Sequence, residues 1–350
     1  MKILLVIDQF DAANNGTTIS AKRFATHLRK HGNEVRVVST GAPSEDKYVV
    51  AEWKSPIGEK LIKSQGMAFG KPEIDVLENA ISWAEVVHFM MPFTLSIEGL
   101  KVCQKRRELH YHASGGVVCQ KLGVPHTAAF HVQPENITSS IGLKDATLVN
   151  KALYHTFRDV FYNYFKHIHC PSHFIANQLK INGYTAKLHV ISNGVEPDFT
   201  YRRDAEKSPA LAGKIVIMMI GRLSVEKRQD VIIDAVKKSK YADRIQLIFA
   251  GQGPLLDDLE KQGADLKNPP IFRFFTKEEL IDMLAQTDLY VHAADIEIEA
   301  ISCIEAFATG VVPVIANSAR SATPQFALDK RSLFAPGDSD DLANTIDYWL

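Results

Sequence analysis

Arg222 and Lys227 are two cations five residues apart, and they follow an apolar, β-branched run that ends at Ile220. Such a run is typical of a buried strand, so both cations are predicted to lie in a strand-to-helix loop. In that loop an arginine fork and a compact lysine ammonium can converge on a diphosphate. Two solvated loop cations without a ligand are the alternative, and this segment alone leaves both interpretations open.

Glu297 and Glu305 form a second candidate pair, eight residues apart. The pattern predicts a helix that begins at Ala300 or Ile301, which puts Glu297 in the preceding loop and Glu305 in the first turns. Free backbone amides at the helix start attract an anion, while carboxylates bind sugar hydroxyls, so the segment suits a nucleotide sugar. An acidic helix N-terminus that only complements the helix dipole is the alternative, and Glu299 is a further candidate carboxylate.

Three more residues stand where strands are predicted to end. Gly16 lies between the first strand and the first helix, where a glycine permits positive φ and close approach of a ligand, or merely makes a turn. Gly253 is interpreted as part of a tight turn near the ligand, because Leu256 replaces the third glycine of a dinucleotide fingerprint. His131 ends an apolar strand and is predicted to point to the ligand, although a structural histidine is the alternative.

The elements that must position these residues alternate along the whole chain. Short apolar runs separated by helical patterns are typical of βαβ units and parallel sheets. Strands are predicted near residues 3–7, 34–38, 86–89, 127–130, 168–170, 189–191, 215–220, 246–250, 271–274, 289–292 and 312–315. A polar stretch at 197–214 reads as a linker. We therefore expect two Rossmann-like, doubly wound α/β domains, residues 1–197 and 198–350, that face each other across a ligand-binding cleft.

Composition narrows the class of protein. The 350 residues include 40 Lys+Arg and 41 Asp+Glu with 46% hydrophobic residues, which excludes a disordered or collagen-like chain. No apolar stretch is long enough for a membrane span, and the N-terminal run is too short for a signal peptide. The four cysteines have no metal-ligand spacing, so we expect a reduced, cytoplasmic protein.

Charge is unevenly divided, because residues 1–200 carry 22 Lys/Arg against 18 Asp/Glu, a net +4. A helix predicted at residues 96–110 contributes a basic cluster that suits anionic lipid head groups, with a solvated helix face as the alternative. The cluster consists of Lys101, Lys105, Arg106 and Arg107. The helix predicted at residues 339–350 stops in mid-pattern, so we expect the second domain to be truncated at its C-terminal end.

Taken together, these segments resemble the retaining family-four glycosyltransferases of the GT-B fold, and the resemblance covers nearly the whole chain. Residues 16 and 32–38 resemble the family's N-terminal start, and residues 170–175 with 190–195 resemble its interdomain passage. Residues 221–227 resemble its diphosphate loop. The segment from Glu297 to Glu305 matches its Glu-x7-Glu motif, which residues 306–315 continue. Several motifs in the right order carry the resemblance, and none does so alone.

The resemblance implies an acceptor-binding first domain and a nucleotide-sugar-binding second domain. The catalytic residues would be His131, Arg222, Lys227 and Glu297, and the donor would be bound by Gly16, Gly253, Glu297, Ala300, Ile301 and Glu305. In this assignment the cations neutralise the departing diphosphate, Glu305 holds the ribose, Glu297 holds the hexose, and His131 lies by the donor sugar. Family members need no metal or other cofactor, because the cations and the helix start supply the electrostatic stabilisation. The acceptor attacks from the side that the phosphate leaves, so configuration is retained.

The expected activity is therefore the transfer of a hexose from a nucleotide sugar to an acceptor hydroxyl, with UDP-glucose as the first candidate donor. The basic cluster favours a membrane lipid such as diacylglycerol and peripheral contact with the anionic inner face of the cell membrane; no nucleic-acid partner is expected. A polysaccharide or soluble acceptor, an epimerase-like enzyme and a non-transferring nucleotide-sugar binder are the alternatives. The chain departs from the family at Ile298-Glu299-Ala300, where Gly-Phe-Gly is usual, and it ends at Leu350, where the family generally continues with a further helix.

Overall fold

The computed structural model describes residues 1–11, 16–53, 68–114, 124–143, 146–202 and 205–350, without the side chains of residues 105–114 and 140. Backbone contacts divide the chain into two compact units. The first unit comprises residues 1–134 and 146–193, and the second comprises residues 135–145 and 194–350.

The first unit is built on a seven-stranded parallel sheet with the strand order β3-β2-β1-β4-β5-β6-β7. Its strands are β1 (Lys2–Gln9), β2 (Glu34–Thr40), β3 (Lys47–Val49), β4 (Val86–Phe89), β5 (His126–Ala129), β6 (His167–Cys170) and β7 (Lys187–Val190). Its helices are α1 (Gly16–Lys30), α2 (Ile74–Trp83), α3 (Thr94–Ser114), α5 (Thr147–Val160) and α6 (His173–Ile181). Six consecutive residues of β1, from residue 3 to residue 8, are buried, as expected for a strand covered on both faces.

An aromatic cluster fixes the end of β5. Phe130 stacks on Tyr154 with ring centroids 6.0 Å apart, and the Tyr162 hydroxyl donates to the Ala129 carbonyl at 2.9 Å. These buried rings hold the backbone directly before His131, so the histidine leaves the sheet at a fixed point.

The second unit is built on a six-stranded parallel sheet with the strand order β10-β9-β8-β11-β12-β13. Its strands are β8 (Ile215–Ile220), β9 (Ile245–Ala250), β10 (Ile271–Arg273), β11 (Leu289–His292), β12 (Val312–Ala316) and β13 (Leu333–Phe334). Its helices are α7 (Gln229–Lys238), α8 (Leu256–Gly263), α9 (Lys277–Ala285), α10 (Ile301–Ala308) and α11 (Ser339–Trp349), and α4 (Pro134–Ser140) lies at the boundary of the units. Helix α9 begins with a capping box between Thr276 and Glu279.

The predicted fold class, two parallel-sheet α/β domains, is confirmed. Each predicted strand is present, with its ends within two residues of the predicted ones, and the predicted linker contains no helix or strand among its described residues. Strands β3 and β13 were not predicted from the sequence, and both are short edge strands. None of the described helices is long and apolar enough to cross a membrane.

Candidate functional site

Two loops meet at the carboxyl end of the second sheet. One loop follows β8 and contains a short 3-10 turn, Val225–Lys227. The other follows β11 and leads into α10. The Asp295 backbone amide donates to the Glu226 carbonyl at 2.9 Å, which joins the two loops. The candidate diphosphate loop and the candidate carboxylate loop are therefore neighbours.

The two loops bring Lys227 and Glu297 into a buried ion pair. The Lys227 ammonium bonds Glu297 Oε1, and the two side chains are 18% and 12% exposed. His292 Nε2 lies 3.1 Å from the same carboxylate oxygen, and the His292 side chain is fully buried. The structure thus assembles a cation, a carboxylate and an imidazole into one cluster.

Electrostatic interactions keep the Lys227–Glu297 pair ionised at neutral pH. Burial raises the pKa of Glu297, but Lys227 and His292 outweigh burial and hold that pKa at about 2. Burial lowers the pKa of Lys227, but the attraction of Glu297 and Glu226 outweighs it and raises that pKa above its ordinary value. For His292, burial prevails over the attraction of Glu297 and lowers the pKa. The pair is therefore ionised while the imidazole is neutral.

Helix α10 begins at Ile301, one of the two predicted starts, and Ala300 is its N-cap. Ala300 has φ 66° and ψ 77°, a left-handed conformation that L-residues rarely adopt. Glu305 lies in this helix and is buried, with 9% of its surface exposed. The two glutamates of the sequence motif are thus placed as expected, one in the loop and one in the helix.

Asp295 holds the carboxylate loop through two arginines. Its Oδ2 lies 3.3 Å from the Arg320 guanidinium and 3.8 Å from that of Arg228, and its carbonyl accepts from the Ser318 hydroxyl at 2.6 Å. Neither Asp295 nor His292 was predicted from the sequence to belong to the site. A charged residue just before the motif was the available signal for Asp295, and a polar residue at the end of an apolar strand was the signal for His292.

Arg222 lies in the loop after β8, half-buried, and burial lowers its pKa although Glu226 acts in the opposite direction. Gly253 has a packing role that the sequence analysis did not foresee. A Cβ at Gly253 would collide with the backbone of Leu223, whose amide donates to the Gln252 carbonyl at 3.0 Å. This close approach of two backbones explains the glycine without a ligand, so donor contact at Gly253 stays a prediction.

In the first unit, His131 is buried two residues after β5 and has its ring centroid 5.6 Å from that of His169. Its Nε2 has no hydrogen-bond partner among the described residues. Burial, with smaller contributions from His169 and His88, lowers the pKa of His131 well below its ordinary value. A neutral histidine with one uncommitted nitrogen therefore lies at the end of β5.

Gly16 is the first residue of α1, and a Cβ there would meet nothing within 4 Å. It does not have the positive φ that the sequence analysis allowed. In the basic cluster, Lys101 is exposed and pairs with Glu98 at 2.6 Å. The side chains of Lys105, Arg106 and Arg107 lie outside the described part of the structure.

Both halves of the chain match models of known protein families. The family model "Glycosyltransferase Family 4" matches residues 14–199, and "Glycosyl transferases group 1" matches residues 201–350. The alpha-monoglucosyldiacylglycerol synthase of Streptococcus pneumoniae is 24% identical over 335 residues, which cover 91% of this chain and 71% of that protein. The GDP-mannose-dependent alpha-mannosyltransferase of Mycobacterium tuberculosis is 24% identical over 339 residues, covering 91% of this chain and 79% of that protein.

Among solved structures, Anabaena Alr3699/HepE in complex with UDP superposes with a TM-score of 0.70. The two proteins are 16% identical, and the match covers 99% of this chain and 89% of that one. That likeness establishes the fold, and the family models establish the family. The chain is a glycosyltransferase with the GT-B fold, and it belongs to glycosyltransferase family 4.

Proposed function

We propose that the protein transfers a hexose from UDP-glucose to an acceptor hydroxyl with retention of configuration and without a metal ion. The observation that carries the proposal is the largely buried Lys227–Glu297 pair, in which Glu297 lies four residues before the start of α10. A cation, a carboxylate and the free amides of a helix start suit the phosphate, the sugar and the leaving charge of a nucleotide sugar.

In this mechanism Arg222 and Lys227 stabilise the negative charge that grows on the departing diphosphate. The bond between the hexose C1 and the phosphate oxygen breaks, and its electron pair stays on the phosphate. The acceptor oxygen forms the new bond to C1 from the side that the phosphate leaves, and its proton passes to that phosphate. Net charge is conserved, and the α-configuration is retained.

The remaining assignments follow the family resemblance. Glu305 binds the ribose hydroxyls and Glu297 the hexose hydroxyls. The amides of Ala300 and Ile301 point to the diphosphate. The resemblance also assigns His131 to the donor sugar and Gly16 to the donor phosphate.

The acceptor we propose is a membrane lipid with a free hydroxyl, and diacylglycerol is the first candidate. The name of the Streptococcus pneumoniae relative supports it, since it describes a glucosyl group on diacylglycerol. The predicted basic cluster at residues 101–107 supports a cytoplasmic enzyme attached peripherally to an anionic membrane. A soluble or polysaccharide acceptor remains the competing assignment for the same site.

A ligand panel tests the donor first. Thermal unfolding is followed with UDP, GDP, ADP, UDP-glucose, UDP-galactose, GDP-mannose and NAD, all at the same concentration. A ligand whose dissociation constant lies a hundredfold below that concentration stabilises the folded state by about 2.7 kcal/mol. Selective stabilisation by UDP and UDP-glucose is expected. Selective stabilisation by GDP-mannose, which the name of the Mycobacterium relative makes the main rival, would replace the proposed donor.

The chemistry is then tested with diacylglycerol in vesicles and with soluble saccharides, each in excess EDTA. An α-linked glucosyl lipid, identified by the NMR coupling constant of its anomeric proton, is the expected product. A β-linked product would refute retention, and loss of activity in EDTA would refute metal independence. Donor binding without turnover on any acceptor would support the non-transferring alternative.

A further inference from the structure

His292 occupies the last position of β11, and no motif in the sequence analysis includes it. Its side chain is fully buried, and its ring stacks on that of Tyr290 with centroids 6.1 Å apart and an interplanar angle of 18°. A buried imidazole is held by packing on its faces and by hydrogen bonds at its two nitrogens. The two nitrogens of His292 have different partners.

The partners determine the tautomer. Nε2 lies 3.1 Å from Glu297 Oε1, and Nδ1 lies 3.4 Å from the Tyr290 hydroxyl. A carboxylate only accepts hydrogen bonds, whereas a tyrosine hydroxyl can also donate. The neutral imidazole of His292 therefore carries its hydrogen on Nε2 and donates it to Glu297, and Nδ1 accepts the weaker bond from Tyr290.

The consequence for Glu297 is that one carboxylate oxygen has two donors. Lys227 and His292 both bond Oε1, and neither bond uses Oε2. Two donors from different elements, one in the loop after β8 and one on β11, fix the position of Oε1. They leave the second oxygen as the atom that can meet a ligand.

We propose that His292 is a positioning residue that holds Glu297 with Oε2 toward the donor hexose. This inference rests on the proposed function, in which Glu297 binds that hexose and Lys227 binds the diphosphate. Lys227 must then serve two anions at once, Glu297 and the incoming phosphate. His292 keeps the carboxylate in place while the ammonium turns to the phosphate, and it does so without adding a charge.

The test compares His292→Leu, which removes the donor, with His292→Gln, whose amide nitrogen can reach the position of Nε2. Gln246→Leu is the matched control. Gln246 is a buried polar residue at the amino end of β9, in the same sheet, and it donates to the Pro269 carbonyl at 2.8 Å. Affinities for UDP and UDP-glucose are measured by calorimetry, and kcat and KM are measured for release of glucose from UDP-glucose.

In the His292→Leu variant, UDP affinity is expected to stay within about twofold of the wild type, because UDP lacks the hexose. The kcat/KM for UDP-glucose is expected to fall about 10- to 100-fold, the effect of one hydrogen bond to a charged group. His292→Gln is expected to recover most of this loss, and Gln246→Leu is expected to leave the ratio of the two affinities unchanged.

Equal losses of UDP and UDP-glucose affinity, or no recovery in His292→Gln, would overturn the positioning role while leaving the proposed function intact. A wild-type protein that binds no nucleotide sugar would overturn both. If the leucine variant does not fold, nitrogen NMR of the wild-type imidazoles decides. A hydrogen on Nε2 of His292 that responds to UDP-glucose more than to UDP supports the inference, and a hydrogen on Nδ1 refutes it.

Discussion

Replacing Lys227 with methionine leaves the Glu297 carboxylate buried with His292 as its remaining partner. In the wild type, the pKa of Glu297 lies at about 2 against an ordinary value of 4.5. A difference of that size corresponds to about 3 kcal/mol of folding free energy. This stabilisation is present above pH 4.5, where the unfolded carboxylate is ionised, and it is lost as the pH falls toward 2.

In the Lys227→Met variant, the contribution of Glu297 ionisation to the folding free energy has the opposite sign. Without the ammonium, burial is the largest influence on the carboxylate, so the pKa of Glu297 rises and ionisation now opposes folding. The stability of the variant should therefore fall as the pH rises through that pKa. At pH 7 the variant is expected to be about 3 kcal/mol less stable than the wild type, typical of a broken buried pair. The difference should shrink by at least about 1 kcal/mol between pH 7 and pH 3.5.

The assay is urea unfolding followed by circular dichroism at both pH values, with the slope of each transition checked for constancy. Lys267→Met is the matched control, because the Lys267 ammonium lies 3.1 Å from Asp243 and both side chains are largely exposed. Such surface pairs contribute little, so no comparable change is expected. The double variant Lys227→Met, Glu297→Leu should be more stable at pH 7 than Lys227→Met alone. A loss that is independent of pH, and equal in the double variant, would mean that Lys227 acts by packing rather than by charge.

Three further predictions concern the donor site, the helix start and the membrane. Glu305→Ala should weaken UDP binding, measured by calorimetry, about tenfold or more. Glu297→Ala should bind UDP normally and turn over UDP-glucose slowly. If both variants behave like the wild type, the assignment of the two glutamates is refuted. Ala300→Val should lower the free energy of unfolding by more than about 2 kcal/mol, because a β-branched residue is strained at φ 66°. Ala300→Gly should change it by less than about 1 kcal/mol, and the reverse order of the two variants would contradict this reasoning. Lys105, Arg106 and Arg107 changed together to Glu should reduce co-sedimentation of the protein with anionic vesicles and leave co-sedimentation with zwitterionic vesicles unchanged. Unchanged co-sedimentation with anionic vesicles would make the basic cluster a solvated helix face.

The central strands could be predicted because burial on both faces selects continuous apolar runs. Strand β8, Ile215–Ile220, is Ile-Val-Ile-Met-Met-Ile, with four of its residues buried, and no helical or alternating pattern competes with it. Strand β3, Lys47–Val49, is only partly buried, and β13 has two residues. Pairing with a neighbour along one edge stabilises such strands, and that pairing leaves no hydrophobic period in the local sequence.

The contacts of the candidate site also differ in whether they can be predicted from the sequence. The approach of Lys227 to Glu297 could be predicted because each residue lies in a loop that follows a recognisable strand, and such loops lie at the carboxyl end of a parallel sheet. The bond between His292 and Glu297 could not be found, because it depends on how the loop after β11 folds back over its own strand. Hydrogen bonds of that kind follow from tertiary packing and not from spacing along the chain.

Ala300 shows how an alanine can occupy a left-handed position at the start of a helix. The junction between the carboxylate loop and α10 requires a left-handed residue, and Ala300 adopts that conformation as a glycine would. Its surface is 8% exposed, and it packs in the apolar cluster that contains Tyr290 and Cys303. Burial of one methyl group contributes about 0.8 kcal/mol, which offsets much of a left-handed strain of about 1–2 kcal/mol. Because the methyl group is buried in this cluster, an alanine can hold the left-handed conformation at the start of α10 at a small net cost in stability.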